Sequence, residues 1–376
     1  MNHAPLRVGV IGCGVVAQVM HLPNLTALPE LFTIVALCDA SPTVLRGCAE
    51  RYRVPVTTTV WTELLDHSLD AVLVLTPGSH APLVTAFVEA GVAVFAEKPI
   101  AFSEAEGTDI IRAVERSGTP VMVGYMKRYD PAYERLREVL PDIGAIRLVQ
   151  TMTMETAFRP YLEHQPVLAA DDLAADVRAR FATDDAARVR AALGTDDESI
   201  SAVYRRLLID GLVHEFNLLR ATLGDVTAVP YADLSLDRIS IALRFGDVPC
   251  SVDWIEMPGL ARYEQRFSFV GDRGKATLTF PSPYLANMPT RLDVERGEPE
   301  SPHSWVTTDT VSFQEPFKVE LHRFHALVVD GVSVPTTVAD AVADIRLCQH
   351  VVAAHLRLVD QMNEGELSWS SSPTPR

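Results

Sequence analysis

The chain has 376 residues, of which 33 are basic and 49 acidic, giving a formal net charge of −16 at pH 7. A surface this negative repels phosphate backbones and anionic lipid, so we expect neither nucleic acid nor membrane partners. The length predicts about two domains, and no apolar run approaches the roughly 20 residues that cross a bilayer.

The first 123 residues alternate short apolar runs with amphipathic stretches. Strands are predicted at 7–12, 33–39, 70–76, 92–97 and 120–125, and helices at 15–28, 42–52, 79–90 and 103–117. Ser79 and Ser103 are candidate N-caps, and Gly91 and Gly118 are candidate helix ends. Because strands that alternate with helices pair in parallel, we expect a doubly wound parallel sheet covered on both faces.

Residues 124–376 have a different pattern. A short helix is predicted near 131–140, an alternating strand at 145–156, and two closing helices near 316–330 and 338–362. Between them the runs AVPYADLSLDRISIALRF, VPCSVDWIEM, RYEQRFSFVGD and GKATLTFPS alternate apolar and polar residues. These runs predict a second α/β domain built on a mainly antiparallel sheet.

Residues 157–204 interrupt this second domain. The segment is rich in Ala, Asp and Arg, with apolar residues at helical spacing. It predicts two or three short amphipathic helices. A surface insertion is one interpretation, and a lid or a subunit contact is the other.

A glycine-rich turn follows the first predicted strand, in GVIGCGVVAQ. Gly12 allows a tight turn, Gly14 lets the backbone approach a pyrophosphate, and small Ala17 lets the helix pack on its strand. The helix opens at Val15 and Val16, whose amides would face the phosphates. This spacing predicts a dinucleotide-binding Rossmann domain over residues 1–123. Glycines that serve packing alone are the alternative.

Asp39 ends the second predicted strand, where a carboxylate binds the ribose hydroxyls of a dinucleotide. A carboxylate there accepts hydrogen bonds from a free 2′-hydroxyl and repels a 2′-phosphate. No arginine follows immediately, although Ser41 and Arg46 are near in sequence. We therefore expect NAD as the cofactor, with NADP possible.

Glu97, Lys98 and Pro99 follow directly on a predicted buried strand. The carboxyl ends of parallel strands form the ligand crevice of doubly wound folds, and Pro99 disfavours helical geometry at Lys98. A lysine held there can donate a hydrogen bond to a substrate oxygen. Two solvated charges at a strand end are the alternative.

A later predicted helix, YRRLLIDGLVHEFNLLRATLG, carries Asp210 and His214 at i, i+4. That spacing places both on one helix face, and a carboxylate beside a histidine can orient it and raise its pKa. An ordinary Asp–His pair without a catalytic role is the alternative.

No histidine or cysteine spacing indicates a metal site, so we predict no metal. The five cysteines predict reduced thiols in a cytoplasmic protein. The first residues, MNHAPLRVGVIG, lack the charged segment and apolar core of a secretory signal.

Nearly the whole chain resembles the Gfo/Idh/MocA family of NAD(P)-dependent oxidoreductases, which includes glucose–fructose oxidoreductase and inositol dehydrogenase. Four segments carry the resemblance: GVIGCGVVAQ, TPGSHAPLVTAFVEAGVAVFAEKP, VGYMKRYDPAY and DGLVHEFNLLRATLG. It implies a Rossmann domain followed by an α/β domain whose sheet has an open face, and a homodimer or homotetramer formed through that face. Family members usually lack a segment as long as 157–204.

The resemblance also implies roles for individual residues. The family's Glu-Lys-Pro signature falls on Glu97, Lys98 and Pro99, and its Asp and His on Asp210 and His214. Cofactor contacts are implied for Gly12, Gly14, Val15, Val16, Asp39, Thr76, Pro77, His80, Glu97 and Lys98. Substrate contacts are implied for Lys98, Tyr125, Arg128, Asp210 and His214, with Lys127 beside them. Asn217 stands where many relatives carry an acid.

The implied activity is hydride transfer between nicotinamide and a secondary alcohol or ketone carbon of a sugar, sugar derivative or cyclitol. His214 would exchange the hydroxyl proton, Asp210 would orient His214, and Lys98 would hydrogen-bond the reacting oxygen. Lys98 as the proton carrier is a close variant. An NAD-dependent glycosidase that acts by transient oxidation and elimination, and a non-catalytic nucleotide sensor, are the alternatives.

Overall fold

Six short strands of the amino-terminal half form one parallel sheet in the computed structural model, which describes residues 4–364. They are β1 (Leu6–Ile11), β2 (Phe32–Cys38), β3 (Val56–Thr58), β4 (Ala71–Val74), β5 (Ala93–Glu97) and β6 (Val121–Gly124). Their order is β3-β2-β1-β4-β5-β6, so the strand order reverses between β1 and β4, where doubly wound folds bind ligands. The predicted fold class is confirmed. Only β3, of three residues, was not predicted.

Helices cover both faces of this sheet. They are α1 (Leu22–Thr26) after a π-helical turn (Ala17–His21), α2 (Pro42–Tyr52), a 3₁₀ turn (Trp61–Asp66), α3 (Ala81–Glu89) and α4 (Glu104–Ser117). Ser41 and Ser103 cap α2 and α4 by accepting amide hydrogen bonds from Val44 and Glu106. Gly118 ends α4 at φ +71°. Of the two predicted N-caps, Ser103 is confirmed. The prediction for Ser79 is wrong, because the N-cap of α3 is His80.

Eight strands form the sheet of the second domain. They are β7 (Ile146–Glu155), β8 (Ala228–Leu234), β9 (Arg238–Phe245), β10 (Val248–Glu256), β11 (Glu264–Gly271), β12 (Gly274–Phe280), β13 (Arg291–Gly297) and β14 (Ser304–Thr310). Their order is β14-β13-β12-β11-β7-β10-β9-β8. All neighbours are antiparallel except β7 and β10, which run parallel, so the mainly antiparallel sheet is confirmed. The edge strand β14 and its neighbour β13 were not predicted.

The remaining helices lie on one face of the second sheet or between the two domains. They are a 3₁₀ turn (Met126–Tyr129), α5 (Pro131–Val139), a 3₁₀ turn (Leu140–Ile143), α6 (Arg159–Leu162), α7 (Ala175–Leu193), α8 (Glu198–Val203), a π-helical segment (Tyr204–Leu212), α9 (Val213–Leu223), α10 (Pro316–Asp330) and α11 (Val338–Asn363). The helix-covered face carries the core, which includes Val149, Val252, Phe267, Phe269, Leu278, Leu208 and Phe216. The opposite face is open and polar, with Gln150, Arg266, Lys275, Arg291 and Glu295.

The closing helices return to the amino-terminal domain. Leu321 and Phe324 of α10 join the core formed by β1 and β5, and Val342 and Ile345 of α11 join the core formed by β4 and α4. The boundary predicted after residue 123 stays a prediction, and residues 365–376 of the second predicted domain lie outside the described residues. Within the described range, no helix combines the length and apolar character needed to cross a membrane.

The predicted insertion forms three helices, of which α7 is the longest at 19 residues. The chain between α6 and α7 lies against the amino-terminal domain. There the Gln18 side chain donates to the Leu168 carbonyl at 2.9 Å and accepts from the Leu168 amide at 2.7 Å. The insertion therefore contacts the amino-terminal domain through this segment, while most residues of α7 are exposed.

Gly12 is required by the turn after β1. It has φ +95°, and a Cβ there would lie 2.8 Å from the Leu75 carbonyl carbon and the Thr76 nitrogen. Gly14, two residues on, has no atom within 4 Å of its would-be Cβ. The first glycine therefore serves the turn, whereas the second leaves open space above the backbone.

Replacing Gly12 with Ala should lower the free energy of unfolding by about 1–3 kcal/mol or more, because a methyl group meets both strain and backbone atoms. Gly14→Ala is the matched control and should change it by less than about 1 kcal/mol. Urea unfolding followed by circular dichroism measures both. Equal effects of the two substitutions would contradict the assignment.

Candidate active site

The glycine turn and Asp39 form one hydrogen-bonded unit at the crevice. The Cys13 amide donates to Asp39 Oδ2 at 2.6 Å, and the Ser41 amide donates to Oδ1 at 2.8 Å. Asp39 is thereby fixed beside the start of the helix that follows the glycines. The open space above Gly14 is a cradle that a Cβ would fill. These features fit a dinucleotide, with its pyrophosphate over Gly14 and the half-buried Val16, and its ribose on Asp39.

The ends of β4 and β5 are tied together by His80. This side chain is fully buried, with Nδ1 2.7 Å from the Glu97 carbonyl oxygen and Nε2 2.6 Å from the Thr76 carbonyl oxygen. Burial lowers its pKa, against the opposing effect of the two carbonyls. His80 thus positions the loop with exposed Pro77, and its ring nitrogens are already engaged. A direct contact of His80 with cofactor stays a prediction.

Lys98 reaches across to the second domain. Its Nζ donates to the Asp210 backbone carbonyl at 2.6 Å and to Asp210 Oδ1 at 2.7 Å. The lysine side chain is 17% exposed and that of Asp210 is 62% exposed, so the pair lies at the edge of the crevice. The Lys98–Pro99 peptide bond is cis. The structure therefore brings together the two motifs that the sequence separates by more than a hundred residues.

Glu97 faces the interior, whereas its half-buried neighbour Lys98 faces the crevice. Its Oε1 lies 2.8 Å from His21 Nε2, and its Oε2 accepts the Lys98 amide at 3.2 Å. The fully buried Glu320 lies next to this pair, and neither of its carboxylate oxygens has a hydrogen-bond partner. Burial and the nearby Glu97 raise the pKa of Glu320 well above its usual value. Glu97 therefore holds the end of β5 on its buried side.

These three side chains bear on the question of a metal. One ligand atom each from His21, Glu97 and Glu320 lies within 4.8 Å of the others. Closed structural zinc sites take four ligands, one more than this group of side chains offers. The prediction of no metal stays a prediction.

Asp210 and His214 are placed differently from the prediction. Asp210 lies in the π-helical segment and binds Lys98, whereas His214 lies one residue into α9. No hydrogen bond between them is found in the described part of the chain, and His214 Nδ1 is buried without a partner. Burial, then Lys127 and Lys98, lower the pKa of His214 well below its usual value. The expectation that Asp210 orients His214 and raises its pKa thus has no contact to support it.

Tyr125 and Arg128 lie behind His214 instead of in the open crevice. Tyr125 is buried, with its ring centroid 5.8 Å from that of His214 in an edge-on contact. Arg128 Nη1 donates to Asn217 Oδ1 at 3.0 Å and to Asp340 Oδ2 at 3.4 Å. The guanidinium of Arg128 is thus hydrogen-bonded to residues of α9 and α11. Its predicted contact with substrate stays a prediction.

Lys127 belongs to a buried charged cluster whose two carboxylates, Glu155 and Glu215, were not predicted as site residues. Lys127 is buried, and desolvation lowers its pKa to about 8 despite the carboxylates of Glu215 and Glu155. Burial and Glu215 raise the pKa of Glu155 to about 7. Glu215 accepts from Thr153 Oγ1 at 2.7 Å and from Gln265 Nε2 at 2.5 Å. The signal was the TMTMET run, in which Thr and Glu occupy alternate positions of one strand.

Comparison with known families places the first domain. Residues 6–125 match the GFO_IDH_MocA family, described as an oxidoreductase family with an NAD-binding Rossmann fold. The matched segment contains the glycine turn, Asp39 and the Glu97–Lys98 pair. The predicted resemblance to this family is therefore confirmed over residues 6–125.

Relatives extend the similarity beyond this segment. The chain is 22% identical over 357 residues to an uncharacterized oxidoreductase, YrbE, of Bacillus subtilis, covering 91% of this chain and 92% of that protein. It is 39% identical over 150 residues to inositol 2-dehydrogenase 3 of Saccharopolyspora erythraea. That second match covers 38% of this chain and 42% of the dehydrogenase, so it spans less than half of either protein.

The fold is shared along almost the whole chain with a solved structure. Levoglucosan dehydrogenase in complex with NADH superposes with a TM-score of 0.73 at 19% sequence identity. The match covers 94% of this chain and 97% of the dehydrogenase. Both domains of this chain therefore have counterparts in one NADH-binding protein.

The lowered pKa of His214 makes a prediction that does not depend on turnover. Its imidazole should stay neutral at pH 6.5 and gain a proton only at lower pH, because burial and two ammonium groups oppose the charge. Nitrogen-15 NMR of histidine-labelled protein measures this, with His214→Gln to assign the signal. A His214 signal that titrates at or above pH 6.5 would refute the electrostatic description.

Proposed function

Because residues 6–125 match the Gfo/Idh/MocA oxidoreductase family, we propose that the chain transfers a hydride between nicotinamide and a secondary alcohol or ketone carbon. The proposed substrate is a sugar, a sugar derivative or a cyclitol. The observation that carries this proposal is the meeting of Lys98 and Asp210 at 2.6 and 2.7 Å, at the strand ends where the dinucleotide would lie. His214 is one helical turn beyond Asp210.

The nicotinamide ring supplies the redox chemistry when it is bound. Gly12, Gly14, Val15, Val16 and Asp39 would hold the dinucleotide, and Thr76 and Pro77 would border it at the end of β4. The task of the remaining residues is to bind and orient the substrate and to move one proton.

Lys98 is the proposed donor to the reacting oxygen. Its ammonium is held by the carbonyl and the carboxylate of Asp210, which leaves one N–H for a third partner. That N–H would stabilise negative charge on the oxygen as it changes between hydroxyl and carbonyl. Asp210 is therefore proposed to position Lys98 and to accept a neighbouring substrate hydroxyl.

His214 is the proposed carrier of the proton. Because its pKa is lowered, the ring is neutral near pH 7 and can accept a proton during oxidation. Its Nδ1 is buried, so the exchange falls to Nε2. In the alternative mechanism Lys98 carries the proton. The pH dependence of turnover would then be set by Lys98 instead of by His214.

The charged cluster beneath is proposed to bind substrate hydroxyls. Glu155 keeps a buried Oε1 without a partner, and the nearby Lys127 is a cation with few partners of its own. Carboxylates and an ammonium at one wall suit a polyol, because each hydroxyl both donates and accepts. The name of the inositol 2-dehydrogenase relative supports this substrate class.

The related proteins named above are oxidoreductases and dehydrogenases, which supports a dehydrogenase or reductase over a glycosidase or a nucleotide sensor. The five cysteines are buried and unpaired, which supports a reducing compartment such as the cytoplasm. We also propose a homo-oligomer formed through the open sheet face. Val306 of the edge strand β14 is 59% exposed on that face.

Lys98→Met tests the proposed reaction. Turnover should fall by about 10²–10³-fold, because a donor to the reacting oxygen is lost, whereas NADH binding should change little. NADH fluorescence gives the affinity, and absorbance at 340 nm across inositols, levoglucosan and aldoses gives the rate.

The matched control is Lys318→Met, a lysine on α10 outside the crevice. It should leave both readings unchanged. Wild-type turnover in Lys98→Met would remove the lysine from the mechanism, and a wild-type protein that binds NADH but oxidises or reduces none of the panel would remove the substrate class.

The oligomer has its own test. Sedimentation velocity should give a mass of two or four chains, and Val306→Lys should shift it toward a single chain, because a charge replaces an apolar side chain that the contact would bury. Val332→Lys, at an exposed loop position after α10 (43% exposed), is the control. A wild-type protein that sediments as one chain at micromolar concentration would contradict the proposal.

A further inference from the structure

The segment between α6 and α7 places a carboxylate at the start of α2. Asp172 Oδ2 accepts the Thr43 amide at 2.9 Å, and Asp172 Oδ1 accepts the hydroxyl of Ser41. Asp172 is 129 residues from Thr43 in sequence, and it belongs to the insertion. The cap on α2 therefore comes partly from the second domain.

The same helix start adjoins the ribose site. The Ser41 amide donates to Asp39 Oδ1 at 2.8 Å, and Asp39 is the carboxylate placed for the ribose hydroxyls. A 2′-phosphate on that ribose would meet the first turn of α2. The donors available to it there are the Ser41 hydroxyl and the Thr43 amide, as helix N-termini offer amides to phosphates.

We propose that Asp172 is a cofactor-selectivity residue that makes the chain prefer NAD to NADP. The inference rests on the proposed function in that it needs a nicotinamide dinucleotide in the crevice. Asp172 acts in two ways: it uses the two donors that a 2′-phosphate would need, and it sets a negative charge beside Asp39. A free 2′-hydroxyl has neither conflict.

The charge of Asp172 is retained at neutral pH. Its hydrogen bonds from Ser41 and Thr43 lower its pKa. The adjacent Asp171 is occupied differently, because Arg178 Nη2 donates to its Oδ1 at 2.5 Å. The first cation along the chain after Asp39 is Arg46, an exposed residue of the second turn of α2.

Asp172 is also held in place by its neighbours. Four residues earlier, the main chain of Leu168 is clamped by the buried Gln18 at 2.9 and 2.7 Å. The Leu168 side chain packs on Gly47 of α2, where a Cβ would lie 2.5 Å from Leu168 Cδ1. The segment is thus fixed to the helices on both sides of the ribose site.

The experiment measures NADH and NADPH binding to full-length protein by fluorescence titration, for wild type, Asp172→Asn, Asp172→Ser and the control Asp171→Asn. Asp172→Asn should tighten NADPH binding by about tenfold and change NADH binding by less than about twofold, because one charge beside a phosphate is removed. Asp171→Asn should keep the wild-type ratio. Thermal unfolding confirms that each variant is folded.

Measurements at two salt concentrations distinguish an effect of the Asp172 charge from an effect of packing. Raising ionic strength from about 0.1 to about 1 M shortens the screening length from about 10 to about 3 Å. The difference in affinity between NADH and NADPH should therefore become smaller for wild type. For Asp172→Asn the same difference should change less. An unchanged NADPH to NADH ratio in Asp172→Asn and Asp172→Ser, or a wild type that prefers NADPH, would overturn the proposal. Folded wild type that binds neither nucleotide overturns the cofactor assignment as well. If the protein binds nucleotide but turns over no substrate, the proposed reaction is wrong, whereas the result on cofactor selectivity still holds.

Discussion

The bond between Lys98 and Asp210 is the constraint on which the rest of the site depends. An ammonium at the end of a buried parallel strand needs acceptors, and the nearest ones come from a helix of the other domain. That bond joins the two domains at the edge of the crevice. The neutral imidazole of His214 lies close enough for the Lys98 and Lys127 ammonium groups to lower its pKa. The site therefore draws on residues of both domains.

Much of the fold was predictable, because its signals are local. Strands with strict alternation or a continuous apolar run were found, and so were the glycine turn and its acidic partner. The edge strand β14 was missed because nearly all of its residues are exposed. Its neighbour β13 was missed because Leu292 and Val294 are its only buried apolar residues. β3 has three residues and too little pattern to recognise.

The contacts of the predicted site residues were not predictable from sequence. Sequence spacing paired Asp210 with His214, whereas the structure pairs Asp210 with Lys98. Arg128 is hydrogen-bonded to Asn217 of α9 and Asp340 of α11. No local sequence pattern reveals that Asp340 lies beside Arg128. The helices of the insertion were expected, but an amphipathic pattern does not say which surface a helix will cover.

The π-helical segment explains how one i, i+4 pair comes to have two unlike environments. A regular α-helix would stack Asp210 and His214 in one stripe, sharing solvent and dielectric. Wider turns, closed by i to i+5 bonds, shift the angular phase of every later side chain. Asp210 thus looks outward into water while His214 turns toward the interior. A carboxylate in contact with water and an imidazole that stays uncharged can then work side by side on a single piece of backbone.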